Sequence, residues 1–249
     1  MTSEGVTRER PRAHPAAPPR TPHVFALTVR DTLFAHWPVD PDRLRSKVPD
    51  PLELETRDGD AWLGVVPFVL VRGGVRGSPR ISRLTFPELA VRTYVRYRGD
   101  RALFFFSVDV GSAVVAMALD RLTRLPVNHA KMQVSGADER TAFSSHRSGG
   151  EPARFSATYR PEGDVFYAEP GSLEAWLTAR RRFYAPANDG VMTGEVGHAP
   201  WPLRPAEVTI HENGVFGAND LPEPTGEPIA HYCGELAMTG SIVRRLPVD

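Results

Sequence analysis

The feature that most constrains the fold of this chain is a series of short apolar segments separated by turn signals. Between residues 90 and 97, apolar and polar side chains alternate in the manner of a β-strand. The tripeptide Arg98-Gly99-Asp100 marks a turn, and the apolar run Leu103–Phe106 that follows has no polar face. Such a run is typical of a strand covered on both sides, so the pattern predicts a sheet with a buried centre.

The same reasoning predicts strands along most of the chain. The segment Phe25–Pro38 fits either a strand or a short helix. Because the segments show neither an internal repeat nor a regular strand–helix alternation, they favour an α+β fold with a curved or closed antiparallel sheet. The predicted strands are Leu52–Arg57, Ala61–Val71, Ala90–Tyr97, Ala102–Val108, His129–Ser135, Arg140–His146, Ala153–Tyr159, Pro205–Glu212 and Ala230–Ile242.

Three segments carry helix signals. A short helix is predicted over Asp40–Val48, where Asp40 can cap the N-terminus and Pro41 occupies the first turn. The segment Ser112–Thr123 has a continuous apolar stripe. A further helix is predicted over Ser172–Tyr184, because its arginine-rich end suits the helix dipole.

Composition limits the classes of protein to which the chain can belong. Lys plus Arg equals Asp plus Glu at 30 each, which argues against a basic surface for nucleic acid. The single cysteine, Cys233, allows no internal disulfide and fits a reducing compartment. No apolar run is long enough for a membrane span or forms the core of a signal peptide. We therefore expect a cytoplasmic protein without a membrane or nucleic-acid partner.

The chain is expected to form one domain behind a tail. Residues 1–22 are rich in Pro, Arg and Ala and hold almost no large apolar side chain, which predicts a flexible segment. The ordered domain is predicted to begin at His23 and to extend to Asp249, a length that can bury a large core.

Four segments occur together in a defined order: residues 86–95, the run Phe106–Met132 with Leu125-Pro126 and Ala130-Lys131-Met132, residues 172–177 with Arg181 and Tyr184, and His198–Leu203. Their order and spacing resemble the YqjF-like family, a branch of the acetoacetate decarboxylase-like superfamily. The resemblance covers the chain from about Thr28 to Val243. It implies an antiparallel, barrel-like sheet that encloses a small-molecule cavity, with a few outer helices and a homo-oligomeric assembly.

The chain departs from acetoacetate decarboxylase at the position of its reactive lysines. The resemblance implies two adjacent lysines after a Phe/Tyr-Pro pair, one of which forms a Schiff base with the substrate. The matching positions here are Val127 and Asn128, and neither side chain can form an imine. Ala90 stands where the family usually has Asn, and Val127 where it usually has an aromatic residue. We therefore expect an altered pocket lining, with Asn128 among the substrate-binding residues.

Glu88 and Arg92 are the first candidates for site residues. The resemblance implies that Glu88 is a pocket carboxylate, which acts as a general acid or base if burial raises its pKa. Arg92 can hold a substrate carboxylate bidentately. The alternative is a structural pair between these two side chains that contacts no ligand.

Tyr94, His129 and Lys131 are further candidates on predicted strands. Tyr94 shares a face with Arg92 and either orients a ligand or is a core tyrosine. His129 and Lys131 are two residues apart and project to the same face. That face either lines the cavity, where the two side chains form a base–electrophile pair, or contacts solvent.

The segment His198–Pro202 is stiff, because prolines flank Trp201 on both sides. The side chains of His198 and Trp201 either close the cavity mouth as a lid and bind substrate, or belong to a rigid connector. The run Arg180-Arg181-Arg182 is expected to complement a helix dipole on a solvated face.

Neither a metal nor a cofactor is expected. His198, His211 and His231 are far apart in sequence and lack the spacing of metal ligands. The chain also lacks the glycine-rich patterns of phosphate and dinucleotide sites and the Gly-x-Ser-x-Gly elbow of serine hydrolases.

Two functions remain open from the sequence. The first is a cofactor-independent enzyme that acts on a small organic acid or a β-keto compound by acid–base or electrostatic catalysis. This enzyme would be of the lyase type, with Glu88, Lys131 and His129 as catalytic residues and Arg92 as the carboxylate anchor. The second is a non-catalytic small-molecule-binding or scaffolding protein on the same fold, which the missing lysine pair supports.

Overall fold

A computed structural model describes residues 20–79, 84–123, 125–137, 139–147, 149–187 and 190–246. Of the predicted tail, residues 1–22, the first 19 residues lie outside the described part of the chain. Among the described residues, no helix is long and apolar enough to cross a membrane.

Strands dominate the described part of the chain, and three short helices lie between them. In chain order the elements are β1 (His23–Val39), α1 (Pro41–Arg45), β2 (Glu53–Leu54), β3 (Ala61–Val75), β4 (Leu84–Tyr97), β5 (Asp100–Val110), α2 (Ala113–Thr123), β6 (Val127–Ala137), β7 (Arg140–Arg147), β8 (Ala153–Pro161), α3 (Leu173–Thr178), β9 (Arg182–Ala187), β10 (Gly190–His198), β11 (Arg204–Asn213), β12 (Ile229–Ser241) and β13 (Arg244–Arg245).

The strands form one sheet that closes into two rings. The pairing order is β13-β10-β9-β5-β6-β7-β8-β11-β12-β1-β3-β4-β2, and β4 pairs in addition with β5, and β10 with β12. The β4–β5 pairing closes a nine-stranded mixed barrel of β1, β3, β4, β5, β6, β7, β8, β11 and β12. The β10–β12 pairing closes a smaller ring of β1, β3, β4, β5, β9, β10 and β12.

The strands β12, β1, β3, β4 and β5 belong to both rings and form a wall shared between them. Because side chains alternate across a strand, each wall strand supplies one face to each ring. On β1, Leu33 and Ala35 pack into the core of the larger barrel, whereas Phe34 packs with Val66 on the opposite face. This two-sided burial explains why β1 and β5 have long apolar runs with little regular alternation.

Apolar packing fills the larger barrel. Its core holds Trp37, whose ring meets Phe216 edge-on at 5.5 Å, together with Phe143 and Phe155. Each of these large side chains stabilises the fold by about 1.5–3 kcal/mol when it leaves water. Large apolar side chains therefore pack the interior of the larger barrel.

The predicted barrel-like sheet with outer helices is confirmed, and two details differ. The strand β5 pairs in parallel with both β6 and β9, so the barrel is mixed and not wholly antiparallel. The predicted strand Leu52–Arg57 is reduced to β2, which pairs with β4. The helix signal at Asp40 is confirmed, because its side chain accepts a hydrogen bond from the backbone N–H of Asp42 at 2.9 Å.

The prediction of one helix over Ser172–Tyr184 is wrong beyond Thr178. Helix α3 ends there, and the chain continues into β9, which pairs with β10, a strand that the sequence analysis did not predict. The arginines therefore do not lie in the last turn of a helix. Arg180 is instead buried, where it contacts the Glu55 carboxylate and the Trp176 ring.

Glu55 and Arg180 form a buried ion pair beneath α3. Their charged groups lie 3.0 Å apart, and only 6% and 4% of the two side chains are exposed. The Arg180 guanidinium also stacks 4.8 Å from the Trp176 ring. The sequence expectation of a solvated arginine face is thus wrong for Arg180, because its charge has a partner in the interior.

Replacing Glu55 with glutamine is expected to lower the free energy of unfolding by about 3–5 kcal/mol, because Arg180 then becomes an uncompensated buried charge and Arg96 and Arg101 lose the same carboxylate. Urea denaturation measures the change. The matched control is Glu235→Gln, whose partner Arg72 is half exposed, and it should change stability by less than about 1 kcal/mol. Equal losses in the two variants would contradict the account of this buried pair.

Candidate functional site

A cavity of about 260 Å³ lies inside the smaller ring. It is bounded by the face of the shared wall opposite the larger barrel, by β9 and β10, and by the segment that contains Trp201. Its volume is close to the lower end of ligand pockets, which span roughly 300–1,000 Å³. Most lining side chains are apolar, and the charged side chains among them are Glu88, Arg92 and Arg180.

Strand β4 supplies the polar groups of the cavity. Glu88, Ala90 and Arg92 are two residues apart and all line the cavity, whereas Leu89 and Val91 pack into the larger barrel. Glu88 pairs with Phe68 of β3, and Arg92 pairs with Gly64. The two charged residues therefore occupy different levels of the same wall, with their Cα atoms about 13 Å apart at 3.3 Å per residue.

Arg92 is a buried cation without a carboxylate partner among the described residues. It is 8% exposed, and its Nη2 makes a long hydrogen bond of 3.4 Å to the carbonyl oxygen of Leu177. Its Nε has no hydrogen-bond partner in the described chain, and its guanidinium lies 5.5 Å from the centre of the Phe34 ring. A buried charge is stable only when it is compensated, so this geometry favours an anionic ligand.

Glu88 is a buried acid without a basic partner. Burial raises its pKa to about 8, and no hydrogen bond or ion pair joins it to another described residue. The part of its surface that remains accessible faces the cavity, which it lines. Burial therefore favours the protonated form of Glu88 at neutral pH. The structure contains no ion pair between Glu88 and Arg92, so it does not show the alternative of a structural pair.

Tyr94 supports the site from outside the cavity. It is fully buried, and its hydroxyl donates to the same Leu177 carbonyl at 2.8 Å. Its ring lies 4.4 Å from the Trp176 ring and 5.4 Å from the Arg180 guanidinium. Because the side chain does not line the cavity, this geometry favours a core tyrosine with a hydrogen-bonded hydroxyl over a tyrosine that orients a ligand.

His198 and Trp201 line the cavity and are fastened to their surroundings. The Trp201 indole N–H donates to the carbonyl oxygen of Thr178 at 3.0 Å, and its ring meets Phe34 edge-on at 4.9 Å. The His198 Nδ1 lies 2.8 Å from the Ala199 carbonyl oxygen, and burial lowers the pKa of its imidazole. Both side chains therefore line the cavity and are held in place by hydrogen bonds, and their contact with a substrate stays a prediction.

His129 and Lys131 do not reach the cavity, which corrects the expectation drawn from their shared face. Both are exposed on β6, while Ala130 between them is buried. The strand β6 does not belong to the smaller ring, because it leaves β5 to pair with β7, where Lys131 lies opposite His146. The two residues do share a face, but that face contacts solvent.

Asn128 also lies outside the cavity. Its side-chain amide donates to Oδ1 of Asp109 at 3.2 Å, and Asp109 forms a buried ion pair with Arg147 at 3.1 Å. The neighbouring positions Pro126 and Val127 do line the cavity. Asn128 therefore does not line this cavity as expected, because the alternation of β6 turns its side chain toward a separate pocket with Ser107 and Arg147.

Neither lysine of the chain is available for an imine in the cavity. Lys131 is exposed on β6, and Lys47 forms an ion pair with Asp220 at the surface. Within the described residues, no cluster of three or more His, Cys, Asp or Glu side chains could hold a metal ion.

His36 is a buried polar residue that the sequence analysis did not identify. It is fully buried on β1, and neither ring nitrogen has a hydrogen-bond partner among the described residues. Burial first, and the Arg92 charge second, lower its pKa well below the usual value, so the ring is neutral. Gly64 is the β3 partner of His36, and a Cβ atom at Gly64 would approach the His36 ring to 2.9 Å, so glycine is needed at this position.

The comparisons with known proteins fit this architecture. The model of DUF2071, described as an uncharacterized conserved protein, matches residues 26–237. The "Uncharacterized protein YqjF" of Bacillus subtilis (strain 168) is 38% identical over 210 residues, which cover 84% of this chain and 87% of that protein. This match confirms the resemblance inferred from the sequence.

Solved structures of low sequence identity share the fold. The enduracididine biosynthesis enzyme MppR in complex with pyruvate has a TM-score of 0.64 at 16% identity, over 94% of this chain and 93% of that one. An acetoacetate decarboxylase-like enzyme from Sphingomonas wittichii RW1 has a TM-score of 0.60 at 14% identity, over 91% and 94% of the two chains. These similarities establish the acetoacetate decarboxylase-like fold.

The protonated state of Glu88 predicts how stability depends on pH. The folded state keeps a proton on Glu88 up to about pH 8, whereas the unfolded state loses it near pH 4.5. Between these values the folded state holds more protons, so this group stabilises the fold at low pH and the effect is lost as pH rises through about 8. Glu88→Gln removes the effect, because its amide does not ionise.

Relative to the native chain, Glu88→Gln should therefore become progressively more stable from pH 5 to pH 8, by at most about 1.4 kcal/mol per pH unit. Urea denaturation at several pH values measures this difference. In the control Glu235→Gln, at an exposed site, the free energy of unfolding should change with pH as it does in the native chain. A Glu88→Gln curve that also runs parallel would show that Glu88 is ionised in the folded state.

Proposed function

The chain belongs to the DUF2071 family, and from this premise we propose that it is an enzyme that binds a small organic carboxylate and acts on it by acid–base catalysis without a cofactor. Arg92 holds the carboxylate of the substrate, and Glu88 exchanges a proton with it. The observation that carries the proposal is that an unpaired buried cation and an unpaired neutral acid line one cavity.

Arg92 suits the role of carboxylate anchor. Its guanidinium carries a fixed positive charge and lies in an apolar environment where an anion is the favourable partner. Arg180 also lines the cavity, but it contacts the Glu55 carboxylate together with Arg96 and Arg101, so it adds to the positive field while Arg92 is the first anchor. The ligand in the MppR complex, pyruvate, is itself a small keto acid, which supports this substrate class.

Glu88 suits the role of proton donor and acceptor. An acid with a pKa of about 8 can donate a hydrogen bond to a carbonyl oxygen at neutral pH, and its conjugate base can remove a proton from the neighbouring carbon. The substrate carboxylate bound to Arg92 is stabilised as a charged group, so it is not the group that leaves. This reasoning favours enolisation, dehydration or an aldol-type reaction over decarboxylation at the anchored carboxylate.

The imine mechanism is not part of the proposal. Neither Lys47 nor Lys131 lines the cavity, and an imine requires a primary amine at the reacting carbon. The same observation keeps a second function in view, in which the chain binds the carboxylate without turning it over. The two functions differ in one measurable respect, which is whether a bound ligand is converted to product.

Arg92→Met should weaken the binding of a carboxylate ligand by at least about tenfold, because it removes the anchoring charge and leaves an apolar side chain of similar length. Isothermal titration calorimetry with a panel of keto acids measures the affinity, starting from the strongest ligand in a thermal-shift screen. Arg72→Met, at a half-exposed surface pair, is the control and should bind as the native chain does.

Turnover of the same ligand then separates the two functions. The enzyme proposal expects conversion by the native chain, and its loss in Glu88→Gln while binding persists. Binding without conversion would favour the non-catalytic function. Unchanged binding in Arg92→Met would contradict the assignment of the site under either function.

A further inference from the structure

The polar groups of the cavity lie at its two ends. The Cα atoms of Arg92 and Glu88 are about 13 Å apart along β4, and both residues line the cavity. The Arg92 guanidinium contacts the Leu177 carbonyl, which also accepts a hydrogen bond from Tyr94 further along β4, whereas Glu88 lies at the level of Phe68. A ligand that contacts both side chains must therefore extend along the strand direction.

The region between the two ends is apolar. At the level between Glu88 and Arg92, strand β4 presents Ala90, which pairs with Val66 of β3 and Val108 of β5. All three line the cavity. These side chains offer no hydrogen bond, so the matching part of a ligand is a hydrocarbon.

The Glu88 end carries a second polar group whose hydrogen-bonding capacity is unused. Thr32 of β1 is 1% exposed, lines the cavity, and its Oγ1 has no hydrogen-bond partner among the described residues. It lies between the paired positions Arg30–Val69 and Ala35–Val65, nearer to the first, and Val69 in turn pairs with Pro87 beside Glu88. A buried hydroxyl without a partner loses free energy that a ligand can restore.

From these three levels we infer that the cavity takes an elongated monocarboxylate, in which an apolar chain separates the carboxylate at Arg92 from an uncharged carbonyl or hydroxyl oxygen at Glu88 and Thr32. The inference rests on the proposed function and specifies its substrate class. Thr32 is then a substrate-binding residue that positions the oxygen for proton exchange with Glu88.

The size of the cavity agrees with this class of ligand. A volume of about 260 Å³ equals the liquid volume of roughly nine water molecules at about 30 Å³ each. Pyruvate and acetoacetate hold their carbonyl within one or two bonds of the carboxylate, so they reach one end of the cavity only. An acid with a longer chain fills the apolar middle and brings the second oxygen to the far end.

Calorimetric titration with three ligands tests the inference: pyruvate, octanoate and 7-oxooctanoate, which adds one ketone oxygen to the octanoate chain. The native chain should bind 7-oxooctanoate at least tenfold more tightly than octanoate, and pyruvate at least tenfold more weakly than octanoate. In Thr32→Val, which keeps the shape of the side chain and removes the hydroxyl, the advantage of the ketone should fall below threefold while octanoate binds as before.

The outcomes distinguish the inference from the function on which it rests. Pyruvate binding that is as tight as that of 7-oxooctanoate, and that is lost in Arg92→Met, would overturn the inference and leave the carboxylate site intact. A ketone advantage that survives in Thr32→Val would overturn the role of Thr32 in the inference. Failure of all three acids to bind would overturn both the inference and the proposed carboxylate site.

Discussion

The structure depends on a wall of strands, β12–β1–β3–β4–β5, that is buried on both faces. One face closes the filled core of the nine-stranded barrel, and the other lines the cavity of the smaller ring. Because side chains alternate along each strand, neighbouring residues serve different interiors. On β4, Leu89 and Val91 pack in the barrel core, while Glu88 and Arg92 face the cavity. The packed core therefore fixes the backbone that positions the two cavity residues.

Electrostatic compensation differs between the two arginines near the cavity. Arg180 contacts Glu55, a carboxylate that Arg96 and Arg101 also contact, and its guanidinium lies over the Trp176 ring, so it belongs to the framework. Arg92 contacts a carbonyl oxygen and an aromatic ring, but it has no carboxylate partner among the described residues. An uncompensated charge is costly for the empty protein and favourable for a ligand, and this contrast distinguishes the site from its support.

The sequence predicted the fold and some of the residues that line the cavity for identifiable reasons. Alternation over residues 90–97 placed Arg92 and Tyr94 on one face, because that pattern depends only on strand geometry. Glu88 was inferred from the family resemblance, and it shares the cavity wall with Arg92 because β4 begins earlier than predicted, at Leu84. The face that His129 and Lys131 share was also derived from alternation, but the pattern does not say which face contacts solvent. That depends on β6 leaving the wall for β7, a long-range pairing that local residues do not encode. The buried state of Arg180 and Thr32 follows from distant strands in the same way.

The central claim is that one cavity is lined by Glu88 as a neutral acid and by Arg92 as a cation without a carboxylate partner among the described residues. The most direct measurement is the infrared difference spectrum between the native chain and Glu88→Gln, in the region of the protonated carboxyl C=O stretch. The account predicts a band at neutral pH that is absent from the variant and disappears from the native chain as pH rises through about 8. A native spectrum at pH 7 that lacks this band would contradict it, because Glu88 would then be ionised.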